Sequence, residues 1–186
     1  VLPGELIEVL NGDYKRLKLI NFQFKDLNVD SNASVEINHY FSKQFISDVP
    51  VGIYLSGGTD STLLASLLSF KTEAKLKSFT IKNEDNNFDE SVYAEKIAKE
   101  IGTNHTTLEF SRDDFFHEAM NIHNVYDEPF GDSSQIPTYL LFKSVKKNIK
   151  VALSGDGGDE VFLGYNRYLF LNEYYEKLKF FNFSSR

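Results

Sequence analysis

Twice along this chain a short apolar run breaks into a glycine turn and passes directly into a helical pattern. That recurring junction limits the accessible folds more than any other feature. The first is Val51-Gly52-Ile53-Tyr54-Leu55, then Ser56-Gly57-Gly58-Thr59-Asp60-Ser61, with Leu63, Leu64, Leu67 and Leu68 on one face of a helix over 60–70. About a hundred residues later Val151-Ala152-Leu153 runs into Ser154-Gly155-Asp156-Gly157-Gly158-Asp159-Glu160, and Val161-Phe162-Leu163 continues as helix. Between them the pattern predicts a strand at 76–81, a helix at 89–101 closed by Gly102, and a strand at 106–110. Ser111 with Asp114 opens a further helix as a capping-box variant, and a helix containing 139–147 precedes a strand at 150–153. Strands that alternate with helices four times call for parallel pairing, because each parallel return needs a crossover and helices supply it. The expected fold class is therefore α/β, an open, mainly parallel sheet with helices on both faces.

The start of the chain reads differently. Asn11-Gly12-Asp13 between two short apolar-containing runs signals a β-hairpin over 5–20. A polar linker at 25–33 and a helix at 35–48 follow. This divides the chain into 1–30, hairpin and linker, and 31–186, the α/β unit. The first residue is Val and the last residues are aromatic, so the expectation is a piece of a longer protein.

Composition excludes several classes of function. Lys plus Arg number 20 against 27 Asp plus Glu, a net charge of −7 over 186 residues, so no long-range field gathers nucleic acid or anionic lipid. Cysteine is absent, which removes disulfides, thiolate metal sites and a cysteine nucleophile from this chain. No apolar run approaches the roughly 18 residues of a membrane span, and no signal-like start is visible. The expectation is a cytoplasmic protein with small-molecule substrates, no nucleic acid and no membrane.

The first junction carries the chemistry. Two glycines after a strand let amide groups converge, and the following helix offers its free N–H groups and positive dipole end to the same point. Ser56, Thr59 and Ser61 add hydroxyls, making an anion cradle. A Walker-type loop would need a lysine that is missing here. In an open parallel sheet ligands lie beyond the carboxyl ends of strands where strand order reverses. If the strands at 51–55 and 150–153 are neighbours there, Asp60 and Asp159 face one crevice and suit Mg²⁺ beside phosphate. The competing reading is that Asp159 and Glu160 merely favour a helix N-terminus. His39, His105, His117 and His123 have no metal-ligand spacing, and Asp85, Asp89 and Glu90 read as a solvated loop and helix start. Asp127, Glu128, Asp132, Ser133 and Ser134 form a polar run that either lines an acid-substrate pocket or is an ordinary loop.

Ser56-Gly57-Gly58-Thr59-Asp60-Ser61 resembles the PP-motif of ATP pyrophosphatases, which cleave ATP between its α and β phosphates. With Leu153-Ser154-Gly155-Asp156-Gly157-Gly158-Asp159-Glu160-Val161-Phe162-Leu163-Gly164-Tyr165 it resembles the synthetase domain of glutamine-dependent asparagine synthetases. Phe88-Asp89-Glu90-Ser91 with Tyr93-Ala94, then Gly102-Thr103 and His105, Asp127-Glu128-Pro129-Phe130 and Asp132-Ser133-Ser134 match that family's spacing, so the likeness covers roughly 35–170. It implies a Rossmann-like fold of the adenine nucleotide alpha hydrolase type. It also implies ATP and Mg²⁺, with Leu55, Ile81, Ser154 and Gly155 touching ATP beside the residues of 56–61, and the metal on Asp60 and Asp159. The implied reaction adenylates aspartate and releases pyrophosphate, after which ammonia from glutamine displaces AMP. Leu2-Pro3-Gly4-Glu5 and the hairpin are similar to the tail of a glutaminase domain in the same full-length chain, and a homodimer is compatible with the resemblance.

Three departures qualify it. Position 156 is usually Glu in asparagine synthetases, serving the ammonia-dependent step, and is Asp here. Asp156 keeps a carboxylate, so a proton-transfer or ammonium-stabilising role is retained, with helix capping as the plain alternative. Thr59 replaces a commoner apolar residue, and the family's later lysine is expected beyond Arg186. Two rivals stay open: an amidotransferase acting on another carboxylic acid, such as a sugar acid or a β-lactam precursor, and a nucleotide-binding module without catalysis.

Overall fold

The computed structural model describes residue 2 and residues 4–20, 33–71, 75–83, 89–128 and 131–178. The expected linker up to residue 32, together with Asp85, Phe88, Pro129 and Phe130, lies outside the described residues. In chain order the elements are β1 (Glu5–Leu10), β2 (Asp13–Lys18), α1 (Ala33–Gln44), β3 (Val51–Tyr54), α2 (Thr59–Ser69), β4 (Lys77–Lys82), α3 (Ser91–Ile101), β5 (Asn104–Glu109), α4 (Arg112–Asn121), α5 (Gln135–Val145), β6 (Val151–Leu153), α6 (Gly158–Phe162) and α7 (Asn166–Leu178). None of the described helices is long and apolar enough to cross a membrane.

Residues 1–36 and 37–186 form separate compact units. In the first, β1 and β2 pair antiparallel from Glu5↔Lys18 to Leu10↔Asp13. Asn11 and Gly12 make the turn with φ of 53° and 89°, the mirror-image turn that matches strand twist.

In the second unit β5, β4, β3 and β6 stand side by side in that order, and all three pairings are parallel. The chain lays down β3, β4 and β5 outward, then returns past β3 to add β6 on its other side. The order therefore reverses between β3 and β6, which pair from Val51↔Val151 to Ile53↔Leu153. A right-handed crossover places helices on one face while the chain moves outward and on the other face after it turns back.

Two apolar layers follow from that rule. Ile53 and Leu55 point to one face, where they meet Leu64, Ala65 and Leu68 of α2, Ala94 and Ala98 of α3, and Phe41 of α1. The alternate residues Tyr54, Phe79 and Ile81 point to the other face, against Leu141 and Val145 of α5 and the following Ile149. Each fully buried Leu, Ile or Phe contributes about 1.5–3 kcal/mol, so these layers fix the sheet. The capping box at the start of α4 is formed as expected: the Asp114 amide donates to Ser111 Oγ at 3.3 Å and the Ser111 amide to Asp114 Oδ2 at 2.8 Å. The Ser111 hydroxyl, which donates to Asp114 Oδ2 at 2.7 Å, and then the Ser111 amide hold the Asp114 carboxyl below its ordinary range.

Most boundaries fall within one or two residues of the sequence pattern, and three differences are instructive. β5 starts at Asn104 rather than 106, because its polar first residues pair with β4 through Lys77↔Asn104 and Ser78↔His105. α1 ends at Gln44 rather than 48. α6 stops at Phe162, where Leu163 turns to φ 58°, instead of continuing through the apolar triplet.

Candidate active site

Where strand order reverses, a cavity of about 800 Å³ opens beyond the carboxyl ends of β3, β4 and β6. Its polar side is built from both glycine junctions. Leu55, Ser56, Gly58, Thr59, Asp60 and Ser61 come from the first, Ser154, Gly155, Asp156 and Asp159 from the second, and Ile81 from the end of β4. Gly57 is not in the lining. It holds φ 85° and faces α3, where a Cβ would stand 2.9 Å from Tyr93 Cβ and 3.3 Å from the Ala94 nitrogen. Its part is to make the turn, which only glycine does there without strain.

The two junctions touch. A Cβ on Gly155 would lie 2.8 Å from the Ser61 nitrogen and 3.2 Å from Asp60 Cβ. One on Gly158 would overlap the Asp60 carboxyl group, with Oδ2 at 2.6 Å. The second loop therefore rests its backbone on the first turn of α2, an approach that any larger residue would block. Asp60 and Asp159 both line the cavity.

The start of α2 carries no side-chain cap: Gly58 stands at its N-cap, and the first helical bond is from the Thr62 amide to Gly58 O at 3.1 Å. The first-turn amides at Thr59, Asp60 and Ser61 come before that bond, so an anion in the cavity can serve them. Within the loop the serine hydroxyls are engaged. The Ser61 hydroxyl donates to Gly58 O at 3.2 Å, and its oxygen accepts from the Ser56 amide at 3.3 Å. In the second loop the Ser154 hydroxyl donates to Asp156 Oδ2 at 2.9 Å.

Charge decides what the cavity can hold. Its described lining contains four carboxylates, Asp60, Glu90, Asp156 and Asp159, and no lysine, arginine or histidine. A polyphosphate placed there meets anionic side chains, so it needs a hard cation alongside it. Asp60 and Asp159 offer hard oxygen donors of the kind Mg²⁺ takes, and the donor set fits that ion. The opposite wall is apolar, formed by Tyr54, Phe79 and Leu141. Tyr54 stacks edge-on against Phe142 with centroids 5.0 Å apart, and burial pushes its phenol up to about 12, so it stays protonated.

Sequence reasoning did not find that apolar wall, nor Glu90 and Thr138, which also line the cavity. The alternation of Tyr54 with Leu55 and of Phe79 with Thr80 at strand ends was the available signal for part of it. Asp127, Glu128, Asp132, Ser133 and Ser134 are not among the lining residues. Asp132 accepts the Ser134 amide at 2.8 Å and bends the chain into α5, and that bond holds its carboxyl low. Asp89 does similar work before α3, accepting from the Ser91 amide at 3.1 Å and the Asn83 amide at 3.3 Å. His105 is tied to Ser78 away from the cavity, and no described group of three or more His, Asp or Glu gathers as a metal cluster.

The model of the asparagine synthase family matches residues 36–182. The chain belongs to the asparagine synthase family. It is 43% identical over 124 residues to putative asparagine synthetase [glutamine-hydrolyzing] 2 of Methanocaldococcus jannaschii, covering 66% of this chain and 24% of that protein. To asparagine synthetase [glutamine-hydrolyzing] 1 of Bacillus subtilis it is 38% identical over 122 residues, 66% of this chain and 19% of that one. The chain thus spans about a fifth to a quarter of the length of these curated relatives. Among solved structures, NMN synthetase from Francisella tularensis superposes with a TM-score of 0.50 at 18% identity, over 71% of this chain and 56% of that one. That likeness shows the fold, which the asparagine synthase family member shares with it.

Proposed function

We propose that this chain is the nucleotide-binding part of an ATP-dependent amide-forming ligase of asparagine synthetase type. ATP lies with its phosphates against residues 56–61 and its base toward Leu55, Ile81, Ser154 and Gly155. The observation that carries the reading is the contact of Gly155 and Gly158 with Ser61 and Asp60, which makes one cavity of two junctions.

In this reading an oxygen of the aspartate side-chain carboxylate attacks the α-phosphorus of ATP. The bond from that phosphorus to the bridging oxygen breaks, and pyrophosphate leaves with the electron pair. Ammonia then attacks the acyl carbon, the carbon–oxygen bond to AMP breaks, and the amide of asparagine forms. The amides at the start of α2 face the leaving pyrophosphate, where fixed donors stabilise charge as it develops. Asp60 and Asp159 would hold Mg²⁺, which when bound offsets the negative charge of phosphates and carboxylates. Asp156, which lines the same cavity, would accept a proton from the attacking ammonia. The ammonia comes from glutamine through a glutaminase domain of the same full-length chain, to whose tail β1 and β2 belong, and the protein works in the cytoplasm.

Exchange of labelled pyrophosphate into ATP on the full-length protein tests this directly. Exchange that requires both aspartate and Mg²⁺ supports it. Exchange with another carboxylic acid alone moves the assignment to a different amidotransferase, and ATP binding without exchange reduces the site to a binding module.

A further inference from the structure

A hydroxyl beside a phosphate cradle reads as a donor to phosphate, and Ser61 stands where such a donor is expected. Its hydroxyl is instead spent inside the loop. A serine side chain has one proton to donate and two lone pairs to accept with. Ser61 Oγ gives its proton to Gly58 O at 3.2 Å, accepts the Ser56 amide at 3.3 Å, and pairs with Ser56 Oγ at 3.0 Å. Because the Ser61 proton is committed to Gly58, Ser56 is the donor in that last pair. Ser56 Oγ in turn accepts the Gly58 amide at 3.3 Å. The bonds close a ring through residues 56, 58 and 61. Ser61 is only 4% exposed, so water has little access to it.

We propose that Ser61 is a positioning residue: its hydroxyl staples the 56–58 turn into its anion-binding shape, and the phosphates are held by main-chain amides. Gly57 is the reason a staple is needed. A glycine at φ 85° has wide conformational freedom, and without fixed partners on both sides the turn loses the direction of its amides. The staple is a property of the loop's own hydrogen bonds. Only its consequence for catalysis rests on reading the cavity as an ATP site.

Amide hydrogen exchange on the intact protein without nucleotide tests the staple. Ser61→Ala raises exchange at the Ser56 and Gly58 amides about fivefold, the factor that roughly 1 kcal/mol makes in an opening equilibrium. The Leu55 amide, bonded to Phe79 O at 2.9 Å, keeps its protection and reports that the sheet is intact. Ser61→Thr retains the hydroxyl and restores slow exchange. Should Ser61→Ala fail to fold, Ser56→Ala opens the ring at its other corner and is read at Gly58. In pyrophosphate exchange, Ser61→Ala raises KM for MgATP about fivefold and changes kcat little, with recovery in Ser61→Thr. Unchanged exchange of the Ser56 amide together with a raised KM would mean that Ser61 touches phosphate directly, and overturns the proposal. Faster amide exchange in a protein that never turns over ATP supports the staple and overturns the ligase reading.

Discussion

The two glycine junctions look alike as text and are built differently. The first leads into α2, which has 11 residues and buries Leu64, Ala65 and Leu68, and its loop is closed by its own serine hydrogen bonds. The second leads into α6, which has 5 residues and buries none of them. Its Gly155 and Gly158 are seated on Asp60 and Ser61 of the first. One junction is thus shaped by its own core contacts, and the other takes its position from its neighbour. The division suits the proposed chemistry, since a rigid phosphate cradle and a more adjustable acceptor loop serve different steps.

Asp60 is where the two meet, so changing it breaks the comparison most severely. Asp60→Ala removes a proposed metal ligand and the group on which Gly158 rests. Pyrophosphate exchange is expected to fall about 100- to 1000-fold, the range found when one stabilising group is removed from a transition state. Folding should survive, because neither Leu64 nor Leu68 is touched, and near-native thermal unfolding checks this. Residual exchange within threefold of the original would remove the metal assignment.

Asp156 belongs to the second junction alone, and its loss should separate the steps. Asp156→Ala is expected to leave aspartate-dependent pyrophosphate exchange within threefold while lowering amide formation from ammonia about 100-fold, a usual contribution of a positioned acid or base. Equal losses in both assays would show that the second loop serves adenylation as well, and the division of labour would fail.

Next comes a difference in stability. Each junction has a glycine at positive φ, Gly57 at 85° and Gly157 at 89°. Gly157 has nothing within 4 Å of its would-be Cβ, whereas Gly57 is pressed against Tyr93 and Ala94. Gly157→Ala should cost only the left-handed strain, about 1–2 kcal/mol, and Gly157→Asn less. Gly57→Ala adds overpacking against α3, about 1–3 kcal/mol more. Urea denaturation of the three variants measures the gap, and equal costs would contradict the idea that only the first loop is packed from behind.

The sequence pattern made the sheet readable because parallel strands buried on both faces read as near-continuous apolar runs, as β3 and β6 do, and because strands alternate with helices along the chain. The crevice followed from the reversal of strand order, and with it the shared cavity of Asp60 and Asp159. Other features were not readable, for physical reasons. Val161, Phe162 and Leu163 resemble a helix continuing, but all three are exposed and nothing buried holds them in register, so the turn ends at Leu163. The apolar wall joins Tyr54 to Leu141 across almost ninety residues, a pairing that spacing within one segment does not contain. As a residue type, Ser61 suits an anion cradle. Residue type gives a hydroxyl's capacity but not its direction, and in the folded loop that capacity is turned inward.

The smallest effect concerns what stands behind the first junction. Ser78 on β4 is fully buried, and its hydroxyl meets Thr103 Oγ1 at 2.7 Å and His105 Nδ1 at 2.8 Å, tying β4 to β5 on the face that α2 and α3 cover. Burial pushes the His105 imidazole below its ordinary 6.5, with Glu95 opposing weakly, and its Nε2 is buried without a partner. A base whose folded pKa is depressed binds fewer protons in the native state than in the unfolded one. Its contribution is therefore fully present above pH 6.5 and is lost as pH falls below that value. Between pH 7.5 and 5.5 the urea midpoint should drop, with a slope no steeper than about 1.4 kcal/mol per pH unit for one proton. His105→Gln should flatten that slope. Since the second loop leans on the first, acid should lower the protection of the 56–58 and 155–158 amides, read as exchange relative to the intrinsic rate at each pH, over the same pH range. Loosening of 155–158 alone would show that the second junction has an acid-sensitive support of its own.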